Sequence, residues 1–126
     1  MKTIQKVGFV GLGNMGFPMA GHLAGAGLEL VVADAAPSVA ERFAAAHGGT
    51  VAPSLAALGA AADAVITMLP TGAIVAKVAL GPGDCLADGM KEGALLIDMS
   101  TSNPVDTRDT GKALAARGID MVDAPV

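Results

Sequence analysis

The sequence predicts an α/β fold, a doubly wound and mostly parallel sheet between two layers of helices, on three observations. Short apolar runs alternate with Ala-rich stretches of helical periodicity along the whole chain. Glycine and proline punctuate the junctions, as at Pro37, Gly48, Pro70 and Gly118. A Gly-x-Gly-x-x-Gly loop, Gly11 to Gly16, lies between the first apolar run and the first helical stretch.

The elements are expected as follows. Residues 6–10 form the first strand and 14–26 the first helix. The second strand is 29–33, with Asp34 at its end, and Pro37-Ser38 opens a helix to about His47 that Gly48 and Gly49 stop. Residues 50–52 are a short strand, and Pro53-Ser54 introduces a brief helix to Leu58. Residues 64–69 make the most hydrophobic strand, expected at the centre and ended by Pro70, with Thr71 capping a helix over 72–80. A loop at Gly81-Pro82-Gly83 leads to a turn of helix at 85–88, then a strand at 94–98 and a polar loop at 99–103. A helix over 104–117 stops at Gly118, and 119–122 starts a sixth strand. Six strands fill the first mononucleotide-binding half of a Rossmann sheet and part or all of the second.

Composition bounds the partners. The 126 residues and 12.3 kDa suit one domain. With 52% hydrophobic residues, 16% charged residues and a mean hydropathy of +0.57, the chain is too apolar to be disordered. Aromatics make up only 2%, and much of the apolar content is Ala beside 17 Gly, so backbones approach closely. A net charge of -4, with eight scattered Lys and Arg, lacks the basic patch of a nucleic-acid surface. No apolar run approaches the roughly 20 residues that span a bilayer, and a signal peptide is a poor reading of the Gly-rich start. The single Cys85 excludes an internal disulfide framework and a Cys-rich metal site, and a reducing, cytoplasmic setting is expected.

The candidate site gathers at the strand ends. Gly11 permits the tight turn, Gly13 leaves room for a pyrophosphate, and Gly16 lets the first helix pack on the sheet. Leu12, Asn14 and Met15, between the glycines, complete a loop whose amides and helix dipole suit phosphate. Asp34, roughly 20 residues further on, is placed to accept both hydroxyls of an adenosine ribose. A 2'-phosphate would set a second anion against it, and Ala35 and Ala36 carry no cation, so NAD is favoured over NADP. Arg42 is the nearest basic residue and is read as surface.

Leu69 and Pro70 close the fourth strand, where backbone and van der Waals contact with a dinucleotide is expected, and Thr71 is read first as a helix cap. Ser100, Thr101 and Ser102 close the fifth strand; three hydroxyls there suit a substrate carboxylate or the nicotinamide ribose, and Ser102 or Asn103 also serves as a cap for the next helix. His22 and His47 are read as helix residues, Cys85 as an inert thiol, and Asp84, Asp88 and Glu92 as wet surface. No HExxH, GxxxxGK[ST] or GxSxG pattern occurs, and no metal site or catalytic residue is assigned.

The run Phe9-Val10-Gly11-Leu12-Gly13-Asn14-Met15-Gly16-Phe17-Pro18-Met19-Ala20-Gly21-His22-Leu23 resembles the signature of 3-hydroxyisobutyrate dehydrogenase and its β-hydroxyacid dehydrogenase relatives, which include tartronate semialdehyde reductase and, more distantly, 6-phosphogluconate dehydrogenase. Met68-Leu69-Pro70, Asp98-Met99-Ser100-Thr101 with Pro104, and Val122-Asp123-Ala124-Pro125-Val126 extend the resemblance over essentially the whole chain. It implies cofactor contacts at Leu69, Pro70, Thr101 and Ile74, and NAD use with Asp34, since NADP-preferring members carry Asn-Arg-Thr where this chain has Asp34-Ala35-Ala36. It also implies reversible, NAD-linked oxidation of a small β-hydroxyacid to its semialdehyde, of the 3-hydroxyisobutyrate or tartronate semialdehyde (2-hydroxy-3-oxopropionate) type.

The family pattern continues past Val126 with a substrate-binding Ser-Gly-Gly, a helix bearing the catalytic Lys, and a helical dimerisation domain. Lys77, Lys91 and Lys112 do not sit in that lysine motif. Residues 1–126 are therefore expected to be the NAD-binding domain of such an enzyme, truncated after about six strands and inactive alone, with apolar surface that favours self-association. The alternatives are a non-catalytic NAD-binding module that works with or regulates a separate partner chain, and a relic of the fold with no ligand.

Overall fold

The computed structural model describes residues 4–100 and 104–124. The elements run β1 (Lys6–Val10), α1 (Gly16–Gly25), β2 (Glu29–Ala33), α2 (Pro37–His47), β3 (Thr50–Val51), α3 (Leu55–Ala61), β4 (Ala64–Thr67), α4 (Gly72–Leu80), a 3-10 turn (Leu86–Asp88), β5 (Leu95–Asp98), α5 (Pro104–Ala115) and β6 (Asp120–Asp123). All strand pairs are parallel, in the order β3-β2-β1-β4-β5-β6. The chain starts at the centre of the sheet, winds outward one way through β3, and returns past β1 to build the other half from β4. This is the Rossmann order, and the expected three-layer arrangement is present.

Strand side chains alternate between faces, so each strand feeds two cores. Val7, Phe9, Leu30, Val32 and Ile66 pack with Ala20, Ala40 and Phe43 beneath α1 and α2. Val10, Val31, Val65 and Leu96 point the other way, into a cluster with Leu58, Ala79, Leu86, Leu114 and Ile119. Small residues set the layer spacing. At Gly8, on the second face of β1, a Cβ would collide with Leu58 of α3, so that helix lies directly on the strand.

Several boundaries differ from expectation by one to three residues, and three of the shifts have a plain local reason. Helix α1 starts at Gly16 and not at residue 14: the amide of Phe17 does reach the carbonyl of Gly13 (3.0 Å), but Pro18 has no N–H to continue the ladder to Asn14, and the regular bonds resume with Met19 to Met15 (3.3 Å). Helix α3 continues past Leu58 to Ala61, through Gly59. A Cβ at Gly59 would lie 2.5 Å from the carbonyl oxygen of Leu86, so that contact outweighs the low helix propensity of glycine. Strand β4 ends at Thr67, two residues early, because the Leu69 amide leaves the ladder for the Ser100 hydroxyl.

Phe43 is fully buried and meets Phe17 edge-on, with centroids 5.2 Å apart. Phe43→Ala is expected to lower the unfolding free energy by about 3–5 kcal/mol in urea titrations; a loss below about 1 kcal/mol would contradict this packing.

Candidate functional site

The register places the site. Val10 pairs with Ala33 and with Thr67, Thr67 pairs with Asp98, and Asp98 with Asp123. The carboxyl ends of five strands thus form one row. The segments that follow, at Gly11, Asp34, Met68 and Met99, emerge along the same edge. The strand order reverses between β1 and β4, which opens the crevice where such sheets bind ligands.

Two glycines of the loop are required by the protein itself. Gly11 has φ +101° and donates to the carbonyl of Ala33 (3.1 Å), and a Cβ there would strike the Met68 carbonyl oxygen. A Cβ at Gly16 would strike the carbonyl oxygen of Gly11. Gly13 differs: among the described residues nothing beyond its chain neighbours comes within 4 Å of the position a Cβ would take, and the residue is exposed. Space left at the one glycine of this loop that packing does not need is what close approach of a ligand to the backbone requires. Helix α1 begins beside it with no acid in its first turn and, among the described residues, no capping side chain, which suits its amides and dipole to an anion.

Asp34 is tied to this loop. Its Oδ1 accepts from the amide of Leu12 (2.7 Å) and its Oδ2 from the amide of Ala36 (3.0 Å). These bonds fix the carboxylate at the crevice and leave each oxygen a free lone-pair site. A cleft of about 370 Å³ adjoins it, lined by apolar groups that include Ala33, Pro37, Val51, Pro53, Leu69 and Val78. Gly11 and Ile74 also line it, as do Ser54 and Asp84. On the other side of the loop a second recess holds Leu12, Gly13, Asn14, Phe17, Val39 and Arg42.

The expected residues therefore separate into groups. Gly11, Asp34, Leu69 and Ile74 meet in the first cleft, and Leu12, Gly13 and Asn14 in the second. Gly16 is buried behind them, while Met15 and Pro70 are exposed and line neither. Thr101 and Ser102 lie outside the described residues, as do Asn103 and the end motif at Pro125 and Val126. Thr71 caps α4 as expected, its hydroxyl accepting from Ile74 N (3.2 Å). His22 is exposed, and His47 ends α2 with its ring 5.0 Å from that of Phe43. Cys85 is buried.

Two readings change, and Arg42 stays on the surface as expected. Ser100 is fully buried and its hydroxyl accepts from Leu69 N (2.7 Å), so it faces the protein and not a substrate. It belongs to a chain of bonds in which buried Asp98 accepts at Oδ1 from Thr67 Oγ1 and from Ser100 N, both at 3.0 Å; Asp98 Oδ2 has no partner among the described residues. This network joins the ends of β4 and β5 and aims Leu69 at the cleft. Asp84 is not simply wet surface: it lines the cleft and its oxygens accept from Leu55 N (2.8 Å) and Ala56 N (3.0 Å) at the start of α3. Arg42 is exposed, but its guanidinium sits 5.7 Å over the Phe17 ring, beside the loop.

Sequence reasoning missed the apolar wall. Val78 lies one helical turn after Ile74, a spacing that would have identified it; Val51, Pro53 and Asp84 come from distant segments with no such signal.

The fold, the glycine loop and the anchored Asp34 define a dinucleotide-binding Rossmann domain. By its match over residues 6–126, the chain belongs to the family of the NAD binding domain of 6-phosphogluconate dehydrogenase. It is 42% identical over 126 residues to the mitochondrial 3-hydroxyisobutyrate dehydrogenase of Mus musculus, covering 100% of this chain and 37% of the relative. It is 39% identical over 131 residues to the 2-(hydroxymethyl)glutarate dehydrogenase of Eubacterium barkeri, covering 100% of this chain and 41% of the relative. The structure of Mycobacterium tuberculosis 3-hydroxyisobutyrate dehydrogenase with L-serine superposes with a TM-score of 0.89 at 39% identity, covering 98% of this chain and 41% of that one. The chain thus spans less than half the length of the relatives it matches.

The glycines supply a paired test. Gly16→Ala is expected to destabilise the fold by more than about 2 kcal/mol, because backbone must move; Gly13→Ala should stay within about 0.5 kcal/mol of the parent. Equal losses in denaturant titrations would refute the distinction. Separately, Ser100→Ala leaves the Leu69 amide without its acceptor and should cost about 1–3 kcal/mol. An unchanged denaturation midpoint would show the network to be dispensable.

Proposed function

We propose that this chain is the NAD-binding part of a β-hydroxyacid dehydrogenase of the 3-hydroxyisobutyrate or 2-hydroxy-3-oxopropionate reductase type. The observation that carries the reading is the meeting of the glycine loop and Asp34 on one crevice, with open space at Gly13. NAD, once bound, exchanges a hydride with the substrate carbon. This chain's residues bind and orient. The amides around Gly13 and the start of α1 hold the pyrophosphate, Asp34 accepts the adenosine ribose hydroxyls, and Leu69, Ile74 and Val78 cover the base. Thr101 and Ser102 are assigned to the nicotinamide side by resemblance alone.

Preference for NAD over NADP rests on charge. A 2'-phosphate would approach the Asp34 carboxylate, while the neighbouring Ala35 and Ala36 supply no cation. Among the described residues no lysine lines either cleft, and the resemblance assigns the alcohol proton to a lysine outside residues 1–126. The same observation favours a second reading, an NAD-binding module that completes its site with a separate chain; a copurifying helical partner bearing the catalytic lysine would single that reading out.

Calorimetric titration of the chain with each nucleotide is the test. NAD binding is expected, with NADP at least tenfold weaker, about 1.4 kcal/mol. Asp34→Ser should narrow that gap, Gly13→Ala should weaken both nucleotides, and 3-hydroxyisobutyrate should not be turned over by this chain alone. A folded chain that binds neither nucleotide would overturn the proposal.

A further inference from the structure

Beyond the ribose contact, the geometry points to Asp84 as the residue that selects the base of the dinucleotide, requiring a purine with an exocyclic amine; the inference rests on the function proposed above. The cleft next to Asp34 is almost wholly apolar, and among the described residues three of the side chains lining it are polar: Asp34, Ser54 and Asp84. Ser54 caps α3, its hydroxyl accepting from the amide of Ala57 (3.0 Å), and a hydroxyl both donates and accepts, so it does not discriminate between bases. Asp34, bonded to the glycine loop, belongs to the ribose. Asp84 therefore remains as the cleft's polar group for the base.

Its chemistry is restrictive. The carboxylate is clamped by the amides of Leu55 and Ala56, so it does not need to be ordered when a ligand arrives. One lone-pair site on each oxygen is used and one is left, and an ionised carboxylate only accepts. A base placed against it must present N–H groups there. Adenine offers its exocyclic amine. Hypoxanthine puts an acceptor oxygen where that amine stood and moves its donor along the ring to N1, so it would set oxygen against carboxylate in an apolar cleft.

The test compares NAD with nicotinamide hypoxanthine dinucleotide, by calorimetry on the chain as it stands. NAD should bind at least about tenfold tighter. Asp84→Asn should shrink that ratio to within about twofold or invert it: the side-chain amide has one oxygen, which stays on only one of the two α3 amides, and its NH2 is a donor where the carboxylate accepted, so it no longer favours the exocyclic amine and donates to the hypoxanthine oxygen instead. A purely structural role for Asp84 would weaken both dinucleotides by the same factor and leave the ratio alone. Equal affinities in the unmutated chain, or an unchanged ratio in Asp84→Asn, would overturn the inference while leaving the proposed function standing. Failure to bind either dinucleotide would overturn both. The ratio in the unmutated chain decides even where the variant does not fold, and Asp84→Ser, which keeps a capping oxygen, provides a second variant.

Discussion

The parallel register across β1, β2, β4, β5 and β6 is the constraint on which everything else depends. Because Val10, Ala33, Thr67, Asp98 and Asp123 stand in one row, every loop that leaves a strand end arrives at the same edge. A slip of one residue in β1 would exchange its two faces, pushing Phe9 towards α3 and Gly8 towards α1, and would bury the wrong side chains on both. The two cores therefore hold the register, and the register holds the site. Site precision here is a consequence of hydrophobic packing some distance away from it.

Aspartates then tie the separate segments together. Asp34 joins the second strand end to the glycine loop, Asp84 joins the loop after α4 to the start of α3, and Asp98 joins β4 to β5. At the opposite edge Asp63 accepts from the amides of Gln5 and Lys6 at the start of β1. Hydrogen bonds to charged groups contribute about 1.5–3 kcal/mol, more than neutral ones. In a chain with few aromatics, such anchors supply local order that larger side chains provide elsewhere. Two of these carboxylates also face the main cleft, so the groups that fix the loops are the groups a ligand meets.

Small residues make both features possible. Gly11 and Gly16 allow loop and helix to touch, Gly8 seats α3 on β1, and Gly89 fits where a Cβ would collide with the Ala56 carbonyl oxygen. Close approach shortens the distance that short Asp side chains must span. Within the loop Gly13 is the exception, since among the described residues nothing uses the space beside it.

Sequence by itself determined the strand and helix order, because periodicity, caps and glycine stops are local signals: Lys6–Val10, Glu29–Ala33, Pro37–His47 and Gly72–Leu80 are where they were expected. It also determined the glycine loop and Asp34, whose spacing is set by one strand, one helix and the next strand. Only the tertiary structure decided that Ser100 turns inward to Leu69, that β4 ends at Thr67, and that Asp84 and Val51 reach the same cleft as Ile74. Those outcomes depend on which segments become neighbours across the sheet. A hydroxyl or carboxylate shows its chemistry in the sequence, but its partner is set by packing between residues far apart in the chain.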